Sequence, residues 1–175
     1  MPFLNESYFT GAIYLPFKNP EFLDFFRNSL KDLEKNLLID IFGYDFYKQF
    51  TDGIAQASPD QKWIDIRDGQ VYTDKSDVYQ EYKGIVNVLK YFVYCKIINI
   101  QSTQTSVLGE VTGTIDNSSD AYFQQEKVRQ AFNNGIDNVN SLVLFVNNQN
   151  DTVENTYVNF VLGKNYEKKI NMLWI

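Results

Sequence analysis

The chain has no histidine and a single cysteine, Cys95, among 175 residues. Without an imidazole there is no Ser-His-Asp or Cys-His arrangement and no His-ligated zinc. Nor is there a side chain whose unperturbed pKa lies near neutrality. One thiol makes neither an internal disulfide nor a CxxC metal site. Gly163-Lys164 lacks the upstream glycine and the following Ser or Thr of a P-loop, no GxGxxG follows a strand pattern, and GxSxG is absent. Carboxylates are scattered, without a DxD or ExxE cluster. Asp65, Asp68 and Asp74 are the nearest to a group, around the pair Asp68-Gly69. Their oxygens suit a weak calcium site, but acids at a turn more simply bond nearby backbone N–H groups. Glycoside hydrolysis needs two carboxylates across a cleft, and no pair stands out. What remains is the chemistry of association.

Charge narrows the partners. Lys plus Arg number 16 against 22 Asp plus Glu, a formal net of −6, which argues against gripping nucleic acid with the whole surface. No basic residue lies between Arg129 and Lys164, whereas Lys164, Lys168 and Lys169 cluster just after. That run reads as a solvated face or as a dock for an acidic partner. With 14 Phe, 12 Tyr and 2 Trp the chain can bury a sizeable core. Asn5 and Glu6 interrupt any leader-like apolar run, so no signal peptide is expected. The longest clean apolar run, 142–146, is far too short for a membrane span. An unpaired Cys95 fits a reducing compartment.

Elements follow from periodicity. Residues 1–18 show no sustained period. Asn19-Pro20-Glu21 is a helix start, with Asn as cap and Pro in the first turn. Leu23, Phe26, Leu30, Leu33, Leu37 and Ile41 form one stripe that ends at a C-cap, Gly43. A second helix is expected over 44–55, burying Phe46, Tyr47 and Phe50. Asp68-Gly69 between short β-prone runs predicts a hairpin over 63–73 through a type I′ turn. Residues 77–100 read as a central core helix, with Val78, Tyr82, Ile85, Leu89, Phe92 and Ile97 on its stripe. Residues 101–120 are rich in Thr and Gly and read as a long connection. Its alternation suits an extended arm that pairs with another chain. Asp120 caps a long helix over 121–147, with a kink expected at Gly135, followed by a polar break at 147–151. Over 152–162 helix and strand cannot be told apart. The apolar end, Ile170-Asn171-Met172-Leu173-Trp174-Ile175, either packs back or inserts into a neighbour.

The expected fold is mainly α, a helical bundle of about four helices with a small β-hairpin and an extended arm. An N-terminal arm (1–18) precedes the helical core (19–147), which carries the hairpin 63–73 and the arm 102–116. A C-terminal segment (148–175) ends in a docking tail. Candidate interface residues are Thr103, Thr105, Val107, Leu108 and Val111 in the arm, Lys164, Lys168 and Lys169 in the basic cluster, and Met172, Leu173, Trp174 and Ile175 in the tail. No catalytic, metal or cofactor residue is nominated.

In order, these features resemble the head–tail connector proteins of tailed bacteriophages, also called adaptor or head-completion proteins. The resemblance is carried by Leu37-Leu38 with Ile41-Phe42-Gly43-Tyr44, Tyr47 and Phe50, then by Trp63 before Asp68-Gly69 and Tyr72-Thr73. It continues through Tyr82-Lys83-Gly84-Ile85 and Leu89-Lys90-Tyr91-Phe92-Val93-Tyr94. Thr103-Gln104-Thr105, Gly109-Glu110-Val111, Ser118-Ser119 and Ile170-Asn171 complete it. Where many relatives carry Trp-Asn on the second long helix, this chain has Phe132-Asn133. The resemblance implies a virion structural protein without catalysis or cofactor, made in the host cytoplasm and placed at the head–tail junction. Such proteins form a homo-oligomeric ring, typically dodecameric, under the portal protein. They dock a downstream tail or ring protein, meet DNA only in transit through the channel, and touch no membrane. The arm would reach neighbouring subunits and Trp174 would anchor in a partner groove. Two other classes compete with this reading: an intracellular protein-binding module of regulatory or immunity type, and a carboxylate-based hydrolase.

Overall fold

The computed structural model describes residues 2–106, 109–112, 118–152, 156–157 and 160–169, with 102–106, 109–112, 118–124 and 152 described by backbone alone. The fold is mainly α with minor β. Helices α1 (Pro20–Ile54), α2 (Gln61–Asp68), α3 (Ile85–Ser102) and α4 (Ser118–Thr152) alternate with two antiparallel hairpins. Strand β1 (Gln70–Thr73) pairs with β2 (Tyr79–Tyr82), and β3 (Thr103–Ser106) pairs with β4 (Gly109–Thr112).

The start of α1 follows its sequence. Asn19 Oδ1 accepts the N–H groups of Glu21 and Phe22 at 3.0 and 3.3 Å, with Pro20 in the first turn. Gly43 breaks the helix with φ 68° and ψ 162°, so two amphipathic segments meet at an angle where the glycine stands. Phe22, Phe26, Leu30, Leu37, Leu38 and Ile41 face the core from the first segment, and Phe46 and Phe50 from the second. Each fully buried phenyl removes apolar area from water worth about 1.5–3 kcal/mol.

Three expectations need correction. The hairpin does not occupy 63–73. Trp63 to Asp68 belong to α2, and Gly69 (φ 91°) ends that helix and starts β1. The reversal lies further on, at 74–77, where Asp74 Oδ1 accepts the N–H groups of Ser76 and Val78 and Asp77 takes φ 58°. The core helix does not begin at 77 either. Tyr82 is a strand residue turned inward, its hydroxyl donating to the Ile66 carbonyl at 2.9 Å, and α3 starts at Ile85. Finally, α4 runs through the Asn-rich stretch 147–151 to Thr152. Tertiary hydrogen bonds hold two of those asparagines, as described below. Gly135 has no positive φ; its missing Cβ lets Phe92 approach, for a Cβ there would stand 3.0 Å from the ring.

Helices α3 and α4 run antiparallel, Phe92 lying against Phe132 at 5.5 Å and the Cys95 thiol donating to the Val128 carbonyl. The N-terminal arm packs into the core. Leu4, Phe9, Ile13 and Leu15 are buried in the same core as α1, α3 and α4, with two 3-10 turns at Glu6–Tyr8 and Gly11–Ile13.

Candidate partner-docking surface

The sequence-nominated residues fall in two places. Thr103 and Thr105 lie in β3 and Val111 in β4; Val107 and Leu108 lie outside the described residues. This hairpin packs chiefly on itself and on the end of α3, so it extends from the bundle where α3 finishes and α4 begins. Lys164, Lys168 and Lys169 lie in an irregular strap after α4, while Met172, Leu173, Trp174 and Ile175 lie outside the described residues.

The strap is fastened by two asparagines of α4, each gripping both backbone groups of one strap residue. Asn150 accepts the Tyr157 N–H at 2.7 Å and donates to the Tyr157 carbonyl at 3.4 Å. Asn133 accepts the Lys169 N–H at 2.8 Å and donates to the Lys169 carbonyl at 3.1 Å. Arg129 Nη1 donates to that same carbonyl at 3.2 Å, its guanidinium already braced by Glu126. A primary amide can do this because it carries donor and acceptor in one plane.

Between the two clamps the strap crosses the break in α1. The Gly163 N–H donates to the Ile41 carbonyl at 3.0 Å, and a Cβ on Gly163 would stand 2.7 Å from the Gly43 nitrogen. Tyr166 then stacks on Phe92 at 5.1 Å. The chain thus travels from Asn150 back to Asn133, antiparallel to α4.

The basic cluster is largely engaged within the chain. Lys168 Nζ reaches Asp137 at 2.6 Å and Lys164 reaches Asp40 at 3.8 Å. The uneven charge noted in the sequence is therefore used in part to lay the strap along α4. Exposed pairs of this kind contribute about 0–1 kcal/mol each. Lys169 Nζ lies 6.0 Å from the Phe132 ring.

At the other end of α4 sits the β1–β2 hairpin. Asn148 donates to the Thr73 carbonyl, Ser141 to the Glu81 carbonyl, and Lys75 pairs with Asp151. Its outer face exposes Val71, Val78 and Tyr79, the last 81% exposed. The bundle therefore has two unlike ends.

The acids weighed for a weak calcium site are occupied otherwise. Asp65 accepts from Gln61, Asp68 is bound by Arg67, and Asp74 organises the β1–β2 turn. Hydrogen bonding to Arg67 holds Asp68 below the usual carboxylate range, and Gln80, Val78 and Ser76 do the same for Asp74. Among the described residues no three His, Cys, Asp or Glu groups gather around a common point, and no helix is long and apolar enough to cross a membrane. Burial pushes the Cys95 thiol up to about 12. The native protein is accordingly expected to resist iodoacetamide at pH 8 and to be alkylated only after unfolding in urea, read by intact mass. Rapid labelling of the native state would contradict the buried thiol.

No protein-family model, curated protein or solved structure matches this chain.

Two functional elements were missed at the level of sequence. Asn150 looks like an ordinary polar position in an Asn-rich chain, Asn133 stood out only beside Phe132 in the family resemblance, and nothing local marks a clamp whose partners lie 7 and 36 residues away. Glu34 did leave a signal, since it interrupts the apolar stripe between Leu30 and Leu37. It is buried at 3% exposure and accepts the N–H groups of Phe3 and Leu4 at 2.9 and 2.7 Å.

Proposed function

We propose that this chain is a structural subunit of a bacteriophage head–tail connector, without catalysis. It assembles as a ring under the portal protein, lengthens the DNA channel and receives the next tail component. The observation that best supports this reading is the two-ended build. The β3–β4 arm leaves one end, and an exposed hairpin bearing Tyr79 occupies the other. A connector needs two different faces for two neighbours along the tail axis. Ring closure adds a further need, because head-to-tail contacts join unlike surfaces of adjacent subunits. The sequence resemblance supplies the partners: portal, a second copy of the chain, and a downstream tail or ring protein. A net charge of −6 would leave DNA free to slide past the wall, since like charge denies it the counterion release that drives binding.

The test is assembly on the portal encoded beside this chain. Mixed with that portal, the protein should sediment with it and add a ring visible by electron microscopy. Deleting residues 171–175 should reduce this assembly at least tenfold while circular dichroism stays unchanged. An intact chain that fails to bind its own portal would rule the reading out.

A further inference from the structure

We infer that the cavity where the N-terminal arm crosses α3 and α4 is an anion site, which takes a small phosphate group, as the free ion or a monoester, between Lys90 and Lys127. The site goes beyond the connector reading and does not rest on it.

Three elements build it. Lys90 and Tyr91 come from α3, and Tyr8 and Thr10 from the arm. Lys127 and Asn134 come from α4, where a spacing of two turns puts them on one face. The arm is held in place by burial of Phe9 and Ile13 and by the pair between Arg27 and Glu6 at 2.7 Å. The walls are thus set before a ligand arrives, and binding does not bear the cost of ordering them. The cavity measures about 190 Å³, below the roughly 300–1,000 Å³ of sites for drug-sized molecules. It suits phosphate or a small phosphate ester and is too small for a dinucleotide.

Charge selects the ligand. No Asp or Glu lines this cavity, whereas Glu34 lines the opening beside α1, and Asp74 and Asp151 line the one beside the β1–β2 turn. Among the described residues neither Lys90 nor Lys127 has an ion-pair partner. Glu126, next to Lys127 in sequence, is already bound by Arg129. Lys90 is half-buried, with its ammonium 5.2 Å from the Tyr91 ring. Burial and then the charge of Lys83 push its pKa down. An ammonium that has lost water and faces another cation gains most from an anion. A phosphate monoester brings close to two negative charges at pH 7 and three acceptor oxygens. Two lysines balance that charge. The hydroxyls of Tyr8, Thr10 and Tyr91 and the Asn134 amide add donors, and none of these is engaged in a hydrogen bond among the described residues.

The experiment titrates inorganic phosphate, glycerol phosphate and a short DNA duplex into the full chain by calorimetry at fixed ionic strength, with chloride as the reference anion. Lys90→Gln and Lys127→Gln are measured alongside, with Lys35→Gln from the opening beside Glu34 as the control. Circular dichroism checks each fold. One phosphate should bind per chain, about tenfold more weakly in Lys90→Gln and in Lys127→Gln and unchanged in Lys35→Gln. Phosphate should also raise the thermal midpoint of the intact chain more than that of either cavity variant. The general salting effect of phosphate is common to all of them and cancels in that comparison. Tighter binding of the free ion or of the ester identifies the source while supporting the site. Absence of saturable phosphate binding, or equal weakening in Lys35→Gln, overturns it. A duplex that binds more tightly than phosphate and loses affinity in the same two variants overturns the small-ligand reading in favour of a nucleic-acid backbone.

Discussion

Gly69→Ala is expected to destabilise the protein by about 4 kcal/mol or more, enough to unfold much of the population. Gly69 sits at φ 91° and ψ 168°, a region open to glycine almost alone, and forcing another residue there costs about 1–3 kcal/mol. Space adds to this. A Cβ would lie 2.2 Å from the Tyr82 carbonyl oxygen and 2.6 Å from the Gly84 nitrogen. Both obstacles are backbone, so no side chain can swing aside. Moving the Tyr82 backbone would also disturb the buried bond from its hydroxyl to Ile66 and its stacking on Phe145 at 5.0 Å. Gly11 is the control. It has φ 61°, but nothing lies within 4 Å of where its Cβ would stand, so Gly11→Ala should cost only the conformational penalty, about 1–2 kcal/mol. Urea unfolding reads both, as a fall in midpoint at constant slope. Equal costs at the two positions would mean that the crowding at Gly69 relaxes.

The same residue shows what the sequence could and could not say. Asp68-Gly69 correctly marked a glycine with positive φ. The dipeptide has two uses, however: it closes a tight hairpin or it ends a helix. Which applies depends on whether 63–68 is helical. The inward stripe of Trp63 and Ile66, three apart, packs on Phe46, Phe50 and Tyr82, and that tertiary burial decided for helix. At Tyr82 the opposite happened. Its apolar spacing continued the α3 stripe backward, yet Gly84 (φ 84°) breaks the chain there. The long stripes of α1, α3 and α4 were legible because periodicity over many residues leaves few alternatives. The arm and the basic cluster were legible as composition. The clamps were not, because an asparagine that grips a distant backbone looks, locally, like one facing water. Buried Tyr157 lay in the stretch where helix and strand could not be separated. Its place is set by Asn150 and by the bond from its hydroxyl to the Lys62 carbonyl.

Glu34→Ala is the second large effect, expected at about 2–3 kcal/mol. The carboxylate is buried on the inner face of α1, and its two oxygens each take one N–H from the N-terminal segment. Truncation orphans both donors and loosens Phe3 and Leu4, and Phe3 stacks on Phe50 at 5.6 Å. An opening of about 420 Å³ adjoins the site, lined by Phe3, Glu34, Leu38 and Tyr47 with Lys31 and Lys35. Water entering there limits the loss. The pH dependence has a definite sign. Burial raises the Glu34 pKa, and the two N–H bonds oppose this without overcoming it. The folded chain thus holds this proton more tightly than the unfolded chain does. The stabilisation linked to Glu34 is complete below its ordinary unfolded value and disappears as pH rises through the folded one. The margin by which the native protein exceeds Glu34→Ala should accordingly widen as pH falls through that window. Acids with lowered values, Glu6, Asp68, Asp74 and Glu126, drive overall stability the other way, but they are common to both proteins and cancel in the difference. Urea midpoints of the pair at several pH values measure it. A margin that narrows on acidification would mean that the N–H bonds to Phe3 and Leu4 outweigh burial, and that the N-terminal segment is held by the charged carboxylate.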